Sequence, residues 1–129
     1  MPNLTLTGTL TYGNTTPEGA VPCREPLSFT VAYTESSMKT VQIAASGTDV
    51  PITLDSVGAP KFLLIQAIET DVTVKLSDGV TADPTPTAVS VGGGWVIIAN
   101  TAGQVINTLL VTTPASPATG AKLRVLAVE

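Results

Sequence analysis

The chain has 129 residues and a formal charge of −4, with charged side chains at 12% and apolar ones at 43%. That length allows one domain with a real core, and the apolar share is too high for a disordered chain. A net negative charge leaves no basic footprint for DNA or RNA, and the lack of any histidine removes the commonest general base and metal ligand.

The opening stretch, MPNLTLTGTL, lacks the charged and apolar regions of a secretory signal. No apolar run reaches the ~20 residues that span a bilayer. The expectation is a soluble product of the cytoplasm with no membrane partner. From residue 4 the dominant period is two. Leu4, Leu6, Leu10 and Tyr12 alternate with threonines, and Leu27, Phe29, Val31 and Tyr33 alternate with Ser28, Thr30 and Ala32. Such alternation buries one face of a strand and leaves the other polar. The first ten residues are also short and uncharged enough to serve as an edge strand or arm added to a partner's sheet. Cys23, the only cysteine, excludes an intrachain disulfide and reads as a small hydrophobe.

Further along, Val50, Ile52 and Leu54, then Val72, Val74 and Leu76, repeat the alternation. Two segments depart from it: KFLLIQAI and GWVIIAN are continuously apolar, as in strands covered on both faces. Phe62 to Ile68 is therefore expected as a central strand, Val72 to Leu76 as its neighbour, and Glu69-Thr70-Asp71 as the reversal between them. In the terminal AKLRVLAVE, Leu123, Val125 and Ala127 share one face. Clusters rich in glycine and proline, such as NTTPEGAVP, TADPTPT and TPASPATG, mark the reversals. The sum is an all-β chain, an antiparallel two-sheet sandwich of about eight or nine strands over residues 1–129, for which a jelly roll is one arrangement.

Candidate chemistry is sparse. Glu69 with Asp71, and Asp78 with Asp83, are the only near carboxylate pairs considered for acid–base work. Asp78, Asp83 and carbonyl oxygens are the hard donors a calcium ion would want, without the EF-hand spacing. Gly92-Gly93-Gly94 precedes Trp95 and lacks the Lys-Ser or Lys-Thr of a phosphate loop. The reading is no enzyme and no cofactor. The other anomaly is charge: from Pro84 to Ala121 there is no Asp, Glu, Lys or Arg. Strand proteins usually protect such surfaces with charge, so this stretch is expected to be covered by another protein, the alternative being solvation by its threonines, serines and asparagines.

Short, histidine-free, Thr/Ala/Gly/Val-rich β chains of this kind resemble tailed-bacteriophage virion proteins. FLLIQAIETDVTVKLSDG followed by VGGGWVIIANTAGQVINTLLVTTPASPATGAKLRVLAVE is similar in style to small phage structural proteins of the capsid decoration or cement type. The resemblance covers mainly the C-terminal half and aligns no motif, so it carries no residue roles. It implies a non-enzymatic protein on the capsid surface of a virion, made in the host cytoplasm, a homo-oligomer (a trimer) that binds the major capsid protein. Leu4, Leu6, Leu10 and Trp95 are the candidate interface residues. A tail-fibre or adhesin-like module for a host glycan or protein is the competing function.

Overall fold

Alternating segments need partners for their backbone and a cover for their apolar face. The computed structural model of the protein, which describes residues 2–12, 23–100 and 103–129, provides these through ten strands among the described residues. They are β1 (Asn3–Tyr12), β2 (Cys23–Ala32), β3 (Ser36–Ile43), β4 (Val50–Thr53), β5 (Phe62–Ala67), β6 (Val72–Ser77), β7 (Thr87–Val89), β8 (Trp95–Ala99), β9 (Thr108–Thr112) and β10 (Ala121–Val128). The chain divides into two compact units, residues 1–34 and 35–129.

In the first unit β1 and β2 pair antiparallel along their whole length, Asn3 opposite Ala32 through to Tyr12 opposite Cys23. The ladder continues to Pro2, whose carbonyl accepts the Tyr33 N–H at 3.0 Å. Leu4, Leu6, Val31 and Tyr33 are half-buried, while Thr5, Thr7, Ser28 and Thr30 are exposed. Thr5 and Thr30 hydroxyls meet at 3.1 Å on that polar face. The expected alternation thus holds at these positions; the side chains of Leu10, Tyr12, Cys23 and Phe29 lie outside the described residues.

The second unit is a sandwich of two four-stranded sheets, ordered β3-β10-β5-β8 and β4-β9-β6-β7. Its pairings are nested: β3 with β10, β4 with β9, β5 with β8, and β6 with β7, each antiparallel. Two more antiparallel contacts, β10 with β5 and β9 with β6, roll this double ribbon into the two sheets. This connectivity is that of a jelly roll. Between the sheets lie the inward residues of every strand, among them Leu63, Ile65, Val74, Leu109, Val111 and Leu123. Thr113, at one corner, is one of three buried polar residues among those described, with Ser37 and Ser77. Its buried hydroxyl donates to the Ala44 carbonyl at 2.7 Å and accepts the Gly47 N–H at 2.8 Å, so no donor is stranded there.

The sandwich occupies residues 35–129, and β1 pairs with β2 in a separate two-stranded sheet. Two expectations need correction. β5 and β6 are consecutive but not neighbours: β5 lies between β10 and β8, and β6 between β9 and β7. Glu69-Thr70-Asp71 therefore crosses from one sheet to the other, because the apolar faces of β5 and β6 look at each other across the core rather than lying side by side. β8 is not covered on both faces. Val96 and Ile98 pack against the core, but Trp95, Ile97 and Ala99 are exposed on the outer face.

Candidate functional site

The acidic residues were the first candidates for chemistry, and each has a local task. Asp78 Oδ1 accepts the N–H groups of Val80 at 2.8 Å and Thr81 at 2.6 Å. Asp83 Oδ1 accepts the Thr85 N–H at 2.8 Å. Both are side-chain-closed turns of the kind aspartate favours. Glu69 pairs with Lys122 at 3.4 Å, and Asp71 Oδ1 accepts the Val91 N–H at 2.8 Å. Asp78 and Asp83 border an open depression of about 530 Å³ floored by Leu76 and Ile106. The amides of Thr81 and Val80 hold the Asp78 carboxyl below the usual carboxylate range, the opposite direction from a general acid at neutral pH. Among the described residues no cluster of three or more His, Cys, Asp or Glu side chains is placed to hold a metal ion. In the Asp78 and Asp83 pair considered for calcium, Oδ1 of each carboxylate closes its own turn.

Two other carboxyls are held low in the same way. Asp55 is lowered by Lys39 at 2.8 Å and Ser37 at 2.7 Å. Glu129 is lowered by the amides of Gly58 at 2.8 Å and Ala59 at 3.2 Å. A carboxyl lowered by folding contributes stability that is complete above its unfolded value and is lost as pH falls through its folded value. The urea midpoint is thus expected to hold steady from pH 7 to 5 and to drop below about pH 4. Glu129→Gln, which still accepts but cannot ionise, should lower the midpoint at pH 7 and make the acid loss shallower. A variant as acid-sensitive as the parent would show that those amide bonds contribute nothing.

What distinguishes the sandwich is the contrast between its two outer surfaces. On the β4-β9-β6-β7 sheet the outward positions are mostly hydroxyl-bearing or charged. Thr73 faces Thr112, Thr108 sits between Ser77 and Thr53, and Lys75 pairs with Asp49 at 3.1 Å. On the β3-β10-β5-β8 sheet, the register aligns Met38, Leu126, Leu64 and Ile97 in one uninterrupted apolar row across all four strands. The adjacent row is Ser36, Val128, Phe62 and Ala99, and the next is Thr40, Arg124, Gln66 and Trp95. Leu64, at the middle, is 2% exposed, but the row ends openly, with Met38 at 66% and Ile97 at 44%. Met38 and Ile97 thus leave apolar surface open to solvent at the two ends of the row.

Of the candidate interface residues, Trp95 is exposed at the rim of this face, 38% accessible. Leu4 and Leu6 are half-buried in the hairpin unit, and the Leu10 side chain is outside the described residues. Trp95 and the three leucines belong to different units. Sequence reasoning missed Ile97 and Met38. Ile97 was hidden inside a run that looked buried throughout, and Met38 lies in a segment without visible alternation. The uncharged stretch 84–121 is neither wholly wet nor wholly covered: Val89, Ile106, Leu109 and Val111 are core, while Val91, Trp95, Ile97 and Val105 are exposed. Comparison with protein families, with curated proteins and with solved structures finds no match to this chain.

Proposed function

We propose that this protein is a non-enzymatic structural subunit, a capsid decoration or cement protein that self-associates and sits on an assembled shell of major capsid protein. One observation carries the reading. A segment with no charged side chain from Pro84 to Ala121 presents Val91, Trp95, Ile97 and Val105 to solvent in a single chain. Isolated apolar residues on a surface mean little; four of them within an uncharged stretch, beside a four-strand apolar row, suit a surface occluded by other subunits. The jelly-roll connectivity is shared by viral capsid and lectin domains, so it is compatible with the reading without deciding it.

The test is sedimentation of the full chain alone and with purified capsid shells. Self-association, and pelleting with shells in a saturable manner, are the expected results; a monomer that never pellets would end the proposal. The competing adhesin-like module draws on the exposed indole of Trp95, since aromatic faces are common sugar platforms. Reproducible glycan binding abolished by Trp95→Ala, with no shell binding, would favour that reading instead.

A further inference from the structure

We infer that β8 is a self-complementary sheet edge, through which two copies of this chain pair antiparallel about a two-fold axis at Ile97. The inference deepens the proposed reading by naming the contact, and it rests on self-association being part of that reading. The Asn100 N–H donates to the Lys61 carbonyl at 2.9 Å, one step beyond the Phe62–Ala99 register. Hydrogen-bonded and non-bonded pairs alternate along an antiparallel ladder, so Ile98 and Val96 also bond to β5. The N–H and C=O groups of Trp95, Ile97 and Ala99 therefore point away from β5. Among the described residues, no loop or side-chain hydrogen bond outside the strand ladders reaches them.

The open groups are spaced symmetrically about Ile97. A second β8 laid antiparallel against them places Ile97 opposite Ile97 of the second copy, and Trp95 opposite its Ala99. Each such pair exchanges both N–H···O bonds. The largest side chain of the strand meets the smallest, and no charge meets a like charge, because β8 carries none. The apolar row of Met38, Leu126, Leu64 and Ile97 then runs on into its symmetry mate, making one continuous eight-strand surface.

The other three edges of the sandwich lack this match. On β4 the Leu54 N–H donates to the Asn107 carbonyl at 2.8 Å, so by the same alternation the open side carries Pro51, which has no N–H to offer. β7 is only three residues long and follows Pro84 and Pro86, two common protections of an edge. On β3 the paired Glu35 and Glu129 set the phase, turning Ser36, Met38, Thr40 and Gln42 to the open side. That edge is predominantly polar, and the Gln42 amide is tied to the Thr119 carbonyl at 2.8 Å.

A two-fold contact makes a dimer, not the trimer implied by the family resemblance, and sedimentation equilibrium on the full chain separates the two. The parent should be a dimer. Ile97→Lys and Ile97→Glu each place like charges face to face and should raise the dimer Kd about a hundredfold or more, while thermal melts at concentrations where the parent is also monomeric should match the parent's, because Ile97 is exposed in the single chain. An equimolar mixture of the two variants should dimerise again, whereas Thr40→Lys, on the β3 edge, should leave the dimer intact. A parent trimer indifferent to Ile97→Lys would overturn this contact and leave the structural-subunit reading standing. A parent monomer would overturn the contact, and the reading too if that monomer does not pellet with shells. Failure of the mixture to recover a dimer would refute the face-to-face register.

Discussion

Ile65→Ala should destabilise the sandwich unit by ~2–5 kcal/mol, the usual cost of removing a fully buried aliphatic side chain down to its Cβ. Ile65 is 0% exposed and sits on β5, with Val125 of β10 on one side and Val96 of β8 on the other. Strands bonded on both sides cannot slide inward to fill a void, so the cavity term should be near its full value. Against the ~5–15 kcal/mol that holds a typical domain together, this is a large fraction. Leu64→Ala gives the comparison. Leu64 is nearly as buried, but on the outer face, where the exposed Ile97 and the half-buried Leu126 flank it. Those neighbours can settle over the gap, so the loss should be smaller. Urea titrations of both variants measure the difference. A cost below about 1 kcal/mol for Ile65→Ala would mean that β5 is not the centre of its sheet. Equal costs at the two positions would mean that the outer face is packed as densely as the core.

The same pair of residues explains how far the sequence could be read. Where the inward face of a strand was purely aliphatic and the outward face polar, as in Val72, Val74 and Leu76 against Thr73 and Lys75, alternation located the strand and its buried side together. β10 was equally legible through Leu123, Val125 and Ala127. β3 was not, because its inward positions include Ser37 and Lys39. These are satisfied by Asp55, and in the case of Lys39 also by the Thr53 carbonyl at 2.6 Å. Polar residues paired inside a fold erase the period that would reveal them. β7 was too short to show one. β8 failed for the opposite reason: apolar at every position, it concealed that one of its faces is an outer surface. No local pattern could report that β5 and β6 belong to different sheets, since partner choice is a property of the nested long-range ladder. The candidate site was half legible. The charge gap and Trp95 were visible in the chain; the row joining Met38 to Ile97 exists only once four strands are in register.

Gly120→Ala is expected to be the most damaging small substitution at a turn, at about 3 kcal/mol or more, from two additive penalties. Gly120 has φ of 81°, a left-handed conformation that costs a residue with a Cβ roughly 1–2 kcal/mol. A Cβ at that position would also collide with the carbonyl oxygen of Ile43 and come within 3.0 Å of the Ala44 carbonyl carbon. Both are backbone atoms, so no flexible side chain can yield, and relief must come from moving the strand; overpacking of this kind costs a further ~1–3 kcal/mol. The place is a bad one for such a movement. Gly120 leads into β10, whose first residue, Ala121, pairs with Ile43, and β10 bridges β3 and β5 in the middle of the sheet. Gly103→Ala is the comparison without a collision, because Gly103 has φ of 65° with nothing within 4 Å of a Cβ. For a domain of this size each kcal/mol lowers Tm by about 4–8 °C. Gly120→Ala should thus lose roughly 12 °C or more, and Gly103→Ala about half as much or less. Equal losses in the two variants would mean that the Ile43 carbonyl does not approach Gly120, and that β3 and β10 do not meet in the register from which the apolar row and the β8 edge are derived.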